Sequence, residues 1–397
     1  MLAFLMRENI RELFAQKPFP AVASSVINVA VAIGSEAIAI GCEDGNLIFL
    51  VLSNQSFQRT GRKICHFSSI KSLAVTSANN NPGNNKYLLA FGGGRATICL
   101  YEVVLQGKEK RTELYSVKIS SDVTVGTKGT PGPRKPWTCS INECLDTSEC
   151  RVNSLKFLSP EILVAACSDG FLRVFDVLGP DGLDLKWQVE PSPAAVLKCQ
   201  VLPTLDGCGI FLAGSSDGLL RVFTDNKEQQ KVLEWIGHSA GITAIDVVQR
   251  AENCWIVATG GDDNALSLAV ISANSDVLSS TNTFKSWSVK TTTNSQATAC
   301  QISGVRILSS SGKILSVGLD QRFVLWDFEI PDGDNAVDQV ILRPVAFRMT
   351  NIADIHDLVV LQSDDGSLGA VAVGQGIEWI RHEIPPSTGA VQFTQRV

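Results

Sequence analysis

This 397-residue sequence has few charged side chains and very little histidine. Asp, Glu, Lys and Arg together make up 19% of the chain, and only four histidines occur. The formal net charge is −6, whereas a protein that binds nucleic acid over its whole surface usually carries a basic excess. Any contact with nucleic acid is therefore expected to be local or to be supplied by a partner.

Long apolar runs and targeting signals are also missing. The longest apolar stretch, Val26 to Ile40, is interrupted by polar residues and glycine, and it is shorter than the ~20 residues that a membrane span needs. Met1 to Met6 is apolar, but charged residues follow at once and no small-residue cleavage site appears. The eleven cysteines include no C-x-x-C pair. Together these features predict no membrane association, reduced thiols and a cytoplasmic location.

Motifs that carry catalysis are mostly absent. The sequence has no H-E-x-x-H, no P-loop and no glycine-rich turn of the S-adenosylmethionine type. Gly214 to Gly218 matches the G-x-S-x-G hydrolase motif, but Leu219 to Phe223 has the pattern of a strand, whereas that motif requires a helix. Cys139, Cys144 and Cys150 lie close in sequence but lack the paired spacing of a zinc site. We therefore expect that the protein is not an enzyme and that it binds no cofactor, metal or small-molecule substrate.

The most informative feature is an internal repeat. Ile162 to Cys167 is apolar, Ser168-Asp169-Gly170 forms a tight turn, and Phe171 to Asp176 alternates, which is typical of a β-hairpin. Because a sandwich would place turns every ~8–12 residues, the longer period here predicts an all-β propeller of about seven blades. The copies span Ala37 to Leu50, Leu88 to Tyr101, Ile162 to Asp176, Ile210 to Phe223, Trp255 to Leu268, Ile314 to Trp326 and Ala370 to Arg381.

The blades carry parts of a recognisable signature. Gly237-His238 precedes a core strand, Asp residues occupy the tight turns, and Trp326-Asp327 closes a third strand. This pattern resembles the WD40 repeat, in which His, Asp and Trp form a hydrogen-bonded network. We assign His238, Asp263 and Trp326 to different blades, so no single blade holds the full set and the propeller is degenerate. The predicted structural network, favoured over a ligand role, comprises His238, Asp263, Asp169, Asp217, Asp320 and Trp326.

Two segments fall outside the repeat. Residues 1–20 are predicted as an N-terminal helical segment, because Leu2 to Ala15 has apolar residues at helical spacing, and residues 21–397 are assigned to the propeller. A strand from Val391 to Phe393 or from Ala21 to Val31 could close the ring. The other segment is a basic, Gly/Pro-rich loop at 106–136, which is either a solvated loop or an RNA or partner contact. Its candidate contact residues are Lys108, Lys110, Arg111, Arg134 and Lys135.

A more specific resemblance runs from Gly237 to Asp327. The stretch Gly260-Gly261-Asp262-Asp263-Asn264-Ala265-Leu266 and the triplet Asp320-Gln321-Arg322 before Trp326 are similar to the C-terminal propeller of the WD repeat-containing protein six family. The resemblance implies a non-catalytic partner of an FtsJ-type tRNA 2′-O-methyltransferase, which modifies the wobble nucleotide. Contact with tRNA would then be indirect or weak. Members of that family are longer, and this chain would cover their C-terminal third.

A second hypothesis comes from a different functional class. A propeller can act as a general WD40 protein-interaction hub, such as a ubiquitin-ligase substrate receptor or a trafficking adaptor. Since a fold does not imply a function, the repeat pattern alone does not separate the two hypotheses. A partner of the methyltransferase type would favour the first, and a short linear peptide docked on one face would favour the second.

Overall fold

The computed structural model is a ring of seven four-stranded antiparallel sheets. This confirms the predicted seven-bladed propeller. The structure describes residues 14–18, 25–35, 37–53, 56–65, 68–77, 86–94, 98–105, 115–118, 150–177, 183–189, 192–204, 209–225, 231–274, 286–295, 298–308, 312–330, 340–362 and 368–382.

The strands follow the chain blade by blade after an initial strand, β1 (Phe14–Pro18). Blade 1 contains β2 (Ile27–Ile33), β3 (Ala37–Cys42), β4 (Asn46–Ser53) and β5 (Ser56–Cys65). Blade 2 contains β6 (Ile70–Ser77), β7 (Lys86–Gly93), β8 (Ile98–Leu105) and β9 (Tyr115–Lys118). Blade 3 contains β10 (Val152–Ser159), β11 (Ile162–Cys167), β12 (Leu172–Val177) and β13 (Leu183–Gln188). Blade 4 contains β14 (Val196–Leu202), β15 (Ile210–Ser215), β16 (Leu219–Thr224) and β17 (Lys231–Ile236).

The remaining three blades complete the ring. Blade 5 contains β18 (Ile242–Ala251), β19 (Cys254–Gly261), β20 (Leu266–Asn274) and β21 (Ser286–Asn294). Blade 6 contains β22 (Ile302–Leu308), β23 (Lys313–Gly318), β24 (Arg322–Glu329) and β25 (Ile341–Met349). Blade 7 contains β26 (Asp357–Gln362), β27 (Leu368–Gly374), β28 (Gly376–His382) and, at its outer edge, β1.

Each hairpin expected from the sequence forms the two middle strands of a blade. In five blades the turn between them places an Asp before a residue with positive φ, a conformation that favours glycine. Glycine occupies this position in blades 1, 3 and 4, whereas Asn264 and Gln321 occupy it in blades 5 and 6. The Asp carboxylate accepts the backbone N–H two residues on, as in Asp169 to Phe171 at 3.2 Å, which holds the turn.

The core is divided among the blade interfaces. Seven hydrophobic clusters occur, one between each pair of neighbouring blades. Both faces of each sheet are therefore covered, which explains why the middle strands are apolar along their whole length, as in β3 and β15. Glycines allow close approach at some interfaces: a Cβ on Gly260 would lie 2.4 Å from Cγ2 of Ile302 in the next blade.

The ring closes with a strand that the sequence pattern did not identify. Phe14–Pro18 pairs antiparallel with β28, from Phe14 opposite His382 to Pro18 opposite Glu378. The predicted helix over Leu2 to Ala15 is therefore wrong at its C-terminal end, and residues 1–13 lie outside the described residues. Neither predicted closing strand takes this place, because Ile27–Ile33 is the innermost strand of blade 1 and 391–393 lie outside the described residues. Blade 7 therefore combines β1 with β26, β27 and β28, which lie more than 300 residues later in the chain.

The segment at 106–136 also differs from the expected single loop. Tyr115–Lys118 within it is the outer strand of blade 2, paired with β8. Backbone pairing to the blade thus continues into a segment whose composition suggested a loop. None of the described residues forms a helix long and apolar enough to cross a membrane.

Candidate functional site

The first strands of the seven blades surround a central channel. Consecutive first strands contact one another around the ring, and contact between β2 and β26 closes it. In blades 1 to 6 the pairing of first and second strands skips the second residue of the first strand, which forms a β-bulge. The skipped residues, near the face that carries the Asp turns, are Asn28, Lys71, Asn153, Leu197, Thr243 and Ser303. We call that face the upper face.

Polar contacts beside the channel join every pair of neighbouring blades. Several of the donors are bulge side chains, which reach the first backbone carbonyl of the next blade. In order around the ring, the contacts are Asn28 Nδ2 to Ile70 O (3.1 Å), Ser72 Oγ to Val152 O (3.3 Å), Asn153 Nδ2 to Val196 O (2.9 Å), Gln200 Nε2 to Asp246 Oδ1 (3.4 Å), Thr243 Oγ1 to Ile302 O, Arg306 Nη2 to Asp357 Oδ1 (3.6 Å) and Ala30 N to Asp357 Oδ2 (3.1 Å). The rim of the channel is thereby tied into a continuous ring.

Two carboxylates in this ring are bound to backbone amides of the following blade. Asp246 Oδ2 accepts the N–H of Ile307 at 2.7 Å, and Asp357 Oδ2 accepts the N–H of Ala30. Burial raises the pKa of Asp246, although Arg306 and the Ile307 amide favour its ionised form. Since a bound carboxylate satisfies a backbone donor that would otherwise be unpaired, these side chains act at the blade junctions.

At the upper mouth, charged and polar residues of blades 1 and 2 meet. Glu43 Oε2 accepts hydrogen bonds from Lys71 Nζ at 2.7 Å, Asn28 Nδ2 at 2.9 Å and Ser69 Oγ at 2.9 Å. The hydrogen bond from Lys71 lowers the pKa of Glu43 to about 2. Burial and the charge of Lys71 lower the pKa of His356.

The predicted network residues of blade 5 lie together on the upper face. His238 is buried, with Nδ1 2.9 Å from Asp263 Oδ1 and Nε2 2.9 Å from Thr259 Oγ1. Burial by itself would raise the pKa of Asp263, but hydrogen bonds from the Ser239 N–H and from His238 outweigh it and lower that pKa. The expectation that His238 and Asp263 belong to different blades is wrong, because the loop before β18 folds over the turn of the same sheet.

Blade 6 contains the other half of the same network. Trp326 Nε1 donates to Ser316 Oγ at 2.9 Å, and both side chains are fully buried. Asp320 Oδ2 accepts the backbone N–H of Ala299 at 3.1 Å, as Asp263 accepts that of Ser239 in blade 5, and Thr298 stands where blade 5 has His238. Blades 5 and 6 thus divide one set of interactions between them, and neither holds the complete set.

Blades 3 and 4 stabilise their turns in another way. Asp169 pairs with Arg173 at 2.7 Å, and Asp217 pairs with Arg221 at 3.1 Å. The Arg173 side chain is 2% exposed, so this ion pair is part of the interior. Neither arginine was predicted from the sequence, although both turns share the pattern Asp-Gly-x-x-Arg, which could have indicated the pairing.

Three possible metal ligands meet in blade 3. The Sγ atoms of Cys150 and Cys167 and a carboxylate oxygen of Asp169 lie within 4.8 Å of one another. The hydrogen bond with Cys150 and burial raise the pKa of Cys167. The Arg173 guanidinium already occupies both oxygens of Asp169 and would repel a cation. Cys139 and Cys144, the other members of the cysteine cluster in the sequence, lie outside the described residues.

The G-x-S-x-G match and the basic segment at 106–136 were the other candidate sites in the sequence. Gly214 to Gly218 joins strand β15 to strand β16, so the strand-turn-strand interpretation of the G-x-S-x-G match is confirmed. The basic residues Lys108, Lys110, Arg111, Arg134 and Lys135 lie outside the described residues. Their role in binding RNA or a partner stays a prediction.

Comparisons with known proteins agree with the geometry. The WD domain, G-beta repeat family matches residues 141–176, which include β10, β11 and all of β12 except its last residue. The chain is similar to the crystal structure of the WD40 beta propeller domain of Doa1, with a TM-score of 0.54 and 16% identity, over 94% of this chain and 97% of that one. No curated protein sequence matches the chain. The fold is therefore an all-β, WD40-type propeller, a likeness that carries no information on ligands or partners.

Proposed function

We propose that this chain is a non-catalytic protein-interaction scaffold that binds its partner on the upper face. The observation that carries this proposal is the continuous set of polar contacts around the channel, which joins every blade to the next. A ring of blades tied in this way presents its upper loops in one arrangement, and a preorganised surface loses little conformational entropy on binding. The free cysteines among the described residues agree with a cytoplasmic location.

The proposal is tested by reversing one charge on each face of blade 5. Asp262 lies in the upper turn and Glu252 in the lower turn, and both are exposed. Asp262→Arg is expected to weaken capture of partners from the native extract, because it places a new charge and a longer side chain on the binding face. Glu252→Arg makes the same change of charge on the opposite face and is expected to leave capture unchanged. Equal effects from the two variants, or an effect of Glu252→Arg alone, would contradict binding on the upper face.

A finer proposal concerns the identity of the partner. On the resemblance between Gly237 and Asp327, we propose that the partner is an FtsJ-type tRNA 2′-O-methyltransferase and that the scaffold supports methylation of the wobble nucleotide. Nucleotide-resolution measurement of tRNA 2′-O-methylation with and without the gene is the test. Loss confined to the wobble position of some tRNAs is expected. Unchanged methylation would contradict this partner and leave the general hub, either a ubiquitin-ligase substrate receptor or a trafficking adaptor.

A further inference from the structure

The wall of the central channel carries an excess of positive charge. The ionisable residues that line it are four cations and one carboxylate, whereas the whole chain has a net charge of −6. These side chains come from blades 2, 3, 4, 6 and 7, so no single strand or loop accounts for the excess. They are Lys71, Lys156, Lys198, Arg306 and Asp357.

Two of the four cations have no partner. Lys71 is bound by Glu43, and Arg306 donates to the Val305 carbonyl at 2.7 Å and faces Asp357. By contrast, Lys156 and Lys198 form no hydrogen bond or ion pair with any of the residues that the structure describes. Both lysines act electrostatically on the buried Cys199 thiol, which places them on the same side of the channel.

The nearby carboxylates bind other groups and form no ion pair with these lysines, although Asp246 and Asp357 act on Lys156 at longer range. Asp246 is bound to the Ile307 amide and Gln200, and Asp357 is bound to the amides of Ala30 and Leu358. Burial raises the pKa of Asp246, although the charge of Arg306 opposes this. Burial and the charge of Arg306 lower the pKa of Lys156. A cation held in such surroundings without a partner costs free energy, and an anion bound beside it would offset that cost.

The channel has room for such an anion. Its cavity is about 240 Å³, several times the ~30 Å³ that one water occupies in the liquid. A phosphate group directs its oxygens to several sides and can therefore reach cations on different blades, whereas a carboxylate presents both oxygens along one edge. We propose that the central channel binds a small phosphate-bearing anion between Lys156, Lys198 and Arg306. This site is independent of the partner surface on the upper face.

The test uses inorganic pyrophosphate and the full chain in isothermal titration calorimetry at low ionic strength. The wild type is expected to bind one pyrophosphate, and Lys156→Met and Lys198→Met are each expected to weaken binding about tenfold or more. Lys290→Met, an exposed lysine on the outer strand β21, removes the same charge outside the channel and is the matched control. It is expected to bind pyrophosphate as the wild type does.

Thermal unfolding separates binding from a folding defect. Without pyrophosphate, Lys156→Met is expected to melt at the wild-type temperature or above it, because an unpaired, partly buried cation has been replaced by an apolar side chain of similar length. With pyrophosphate, the wild type and Lys290→Met are expected to gain the same thermal stability, and Lys156→Met and Lys198→Met are expected to gain less. Absence of binding by the wild type, equal weakening by Lys290→Met, or tighter binding of malonate than of pyrophosphate would overturn the proposal.

Discussion

The turn carboxylate of blade 5 is expected to contribute far more to stability than its counterpart in blade 4. Asp263 accepts hydrogen bonds from His238 Nδ1 at 2.9 Å, from Ser239 N and Oγ at 2.8 and 3.2 Å, and from Ala265 N at 3.2 Å. His238 is 3% exposed, so its ring nitrogen has little access to water in place of the carboxylate. Asp263→Ala therefore leaves buried donors without acceptors.

Asp217 occupies the same turn position with weaker support. It accepts the Leu219 N–H at 3.1 Å and an Arg221 N–H at 3.1 Å. Arg221 keeps two other partners when Asp217 is removed, since it also donates to Ser215 at 2.9 Å and to Glu234 at 2.7 Å. Solvent can hydrate what remains, because Asp217 is exposed.

These contacts set the expected magnitudes. A hydrogen bond to a charged acceptor contributes ~1.5–3 kcal/mol and a buried unpaired donor costs ~1–3 kcal/mol, with losses in one network not additive. We expect Asp263→Ala to lower the free energy of unfolding by about 3–4 kcal/mol, and Asp217→Ala by about 1 kcal/mol. Urea unfolding at neutral pH measures both values. Equal losses in the two variants would refute the reasoning, because the His238 network would then add nothing.

The same carboxylate has a defined pH dependence. The pKa of Asp263 is lower in the folded protein than its ordinary value of 3.8. An acid whose pKa is lowered by folding stabilises the protein above its unfolded pKa, and that contribution disappears as the pH falls through the folded pKa. The difference in stability between the wild type and Asp263→Ala should therefore be constant near neutral pH and shrink below about pH 4. A difference that grew on acidification would contradict the hydrogen-bond assignment.

Three further predictions concern single side chains. Trp326→Phe is expected to lower the free energy of unfolding by about 2 kcal/mol, because the buried Ser316 hydroxyl loses its Nε1–H donor. Phe328→Leu is the comparison, because it also shortens an apolar side chain of β24 but leaves that hydrogen bond intact. Gln321→Gly is expected to raise it by about 0.5–1 kcal/mol, since Gln321 has a φ of 61°; a loss in urea unfolding would be inconsistent with backbone strain. Glu43→Gln is expected to flatten the fall in melting temperature between pH 4.5 and about 2, because the wild-type carboxylate loses Lys71 when it is protonated; a parallel fall in both proteins would argue against it.

Much of the fold could be predicted from local patterns. Alternating strands around tight turns depend on residues adjacent in sequence, so the seven hairpins were recognisable and all occur as the middle strands of the blades. The Asp residues of the turns were found for the same reason. The prediction that no single blade holds the whole network was correct, but His238 was assigned to the wrong blade. The loop that contains His238 precedes blade 5 in sequence and packs on the Asp263 turn of blade 5 itself. The loop before blade 6 contacts the Asp320 turn in the same way.

The N-terminal strand shows why local patterns fail at a sheet edge. Phe14–Pro18 is held by backbone pairing to β28, which does not require a particular side-chain pattern. The helical spacing of apolar residues from Leu2 to Ala15 therefore gave no indication that Phe14 and Ala15 belong to a strand. Strand Tyr115–Lys118, at the outer edge of blade 2, was missed for the same reason.

The sequence by itself determined the repeat, the number of blades and the turn carboxylates, because each depends on neighbouring residues along the chain. Only the tertiary structure decided how the ring closes and what surrounds its channel. In the sequence, Lys156, Lys198 and Arg306 are ordinary polar residues within alternating strands. They line one cavity because the closed ring places the first strand of every blade around the central channel. The charge of the channel is therefore a property of the closed ring, set by burial and by distances between residues far apart in sequence.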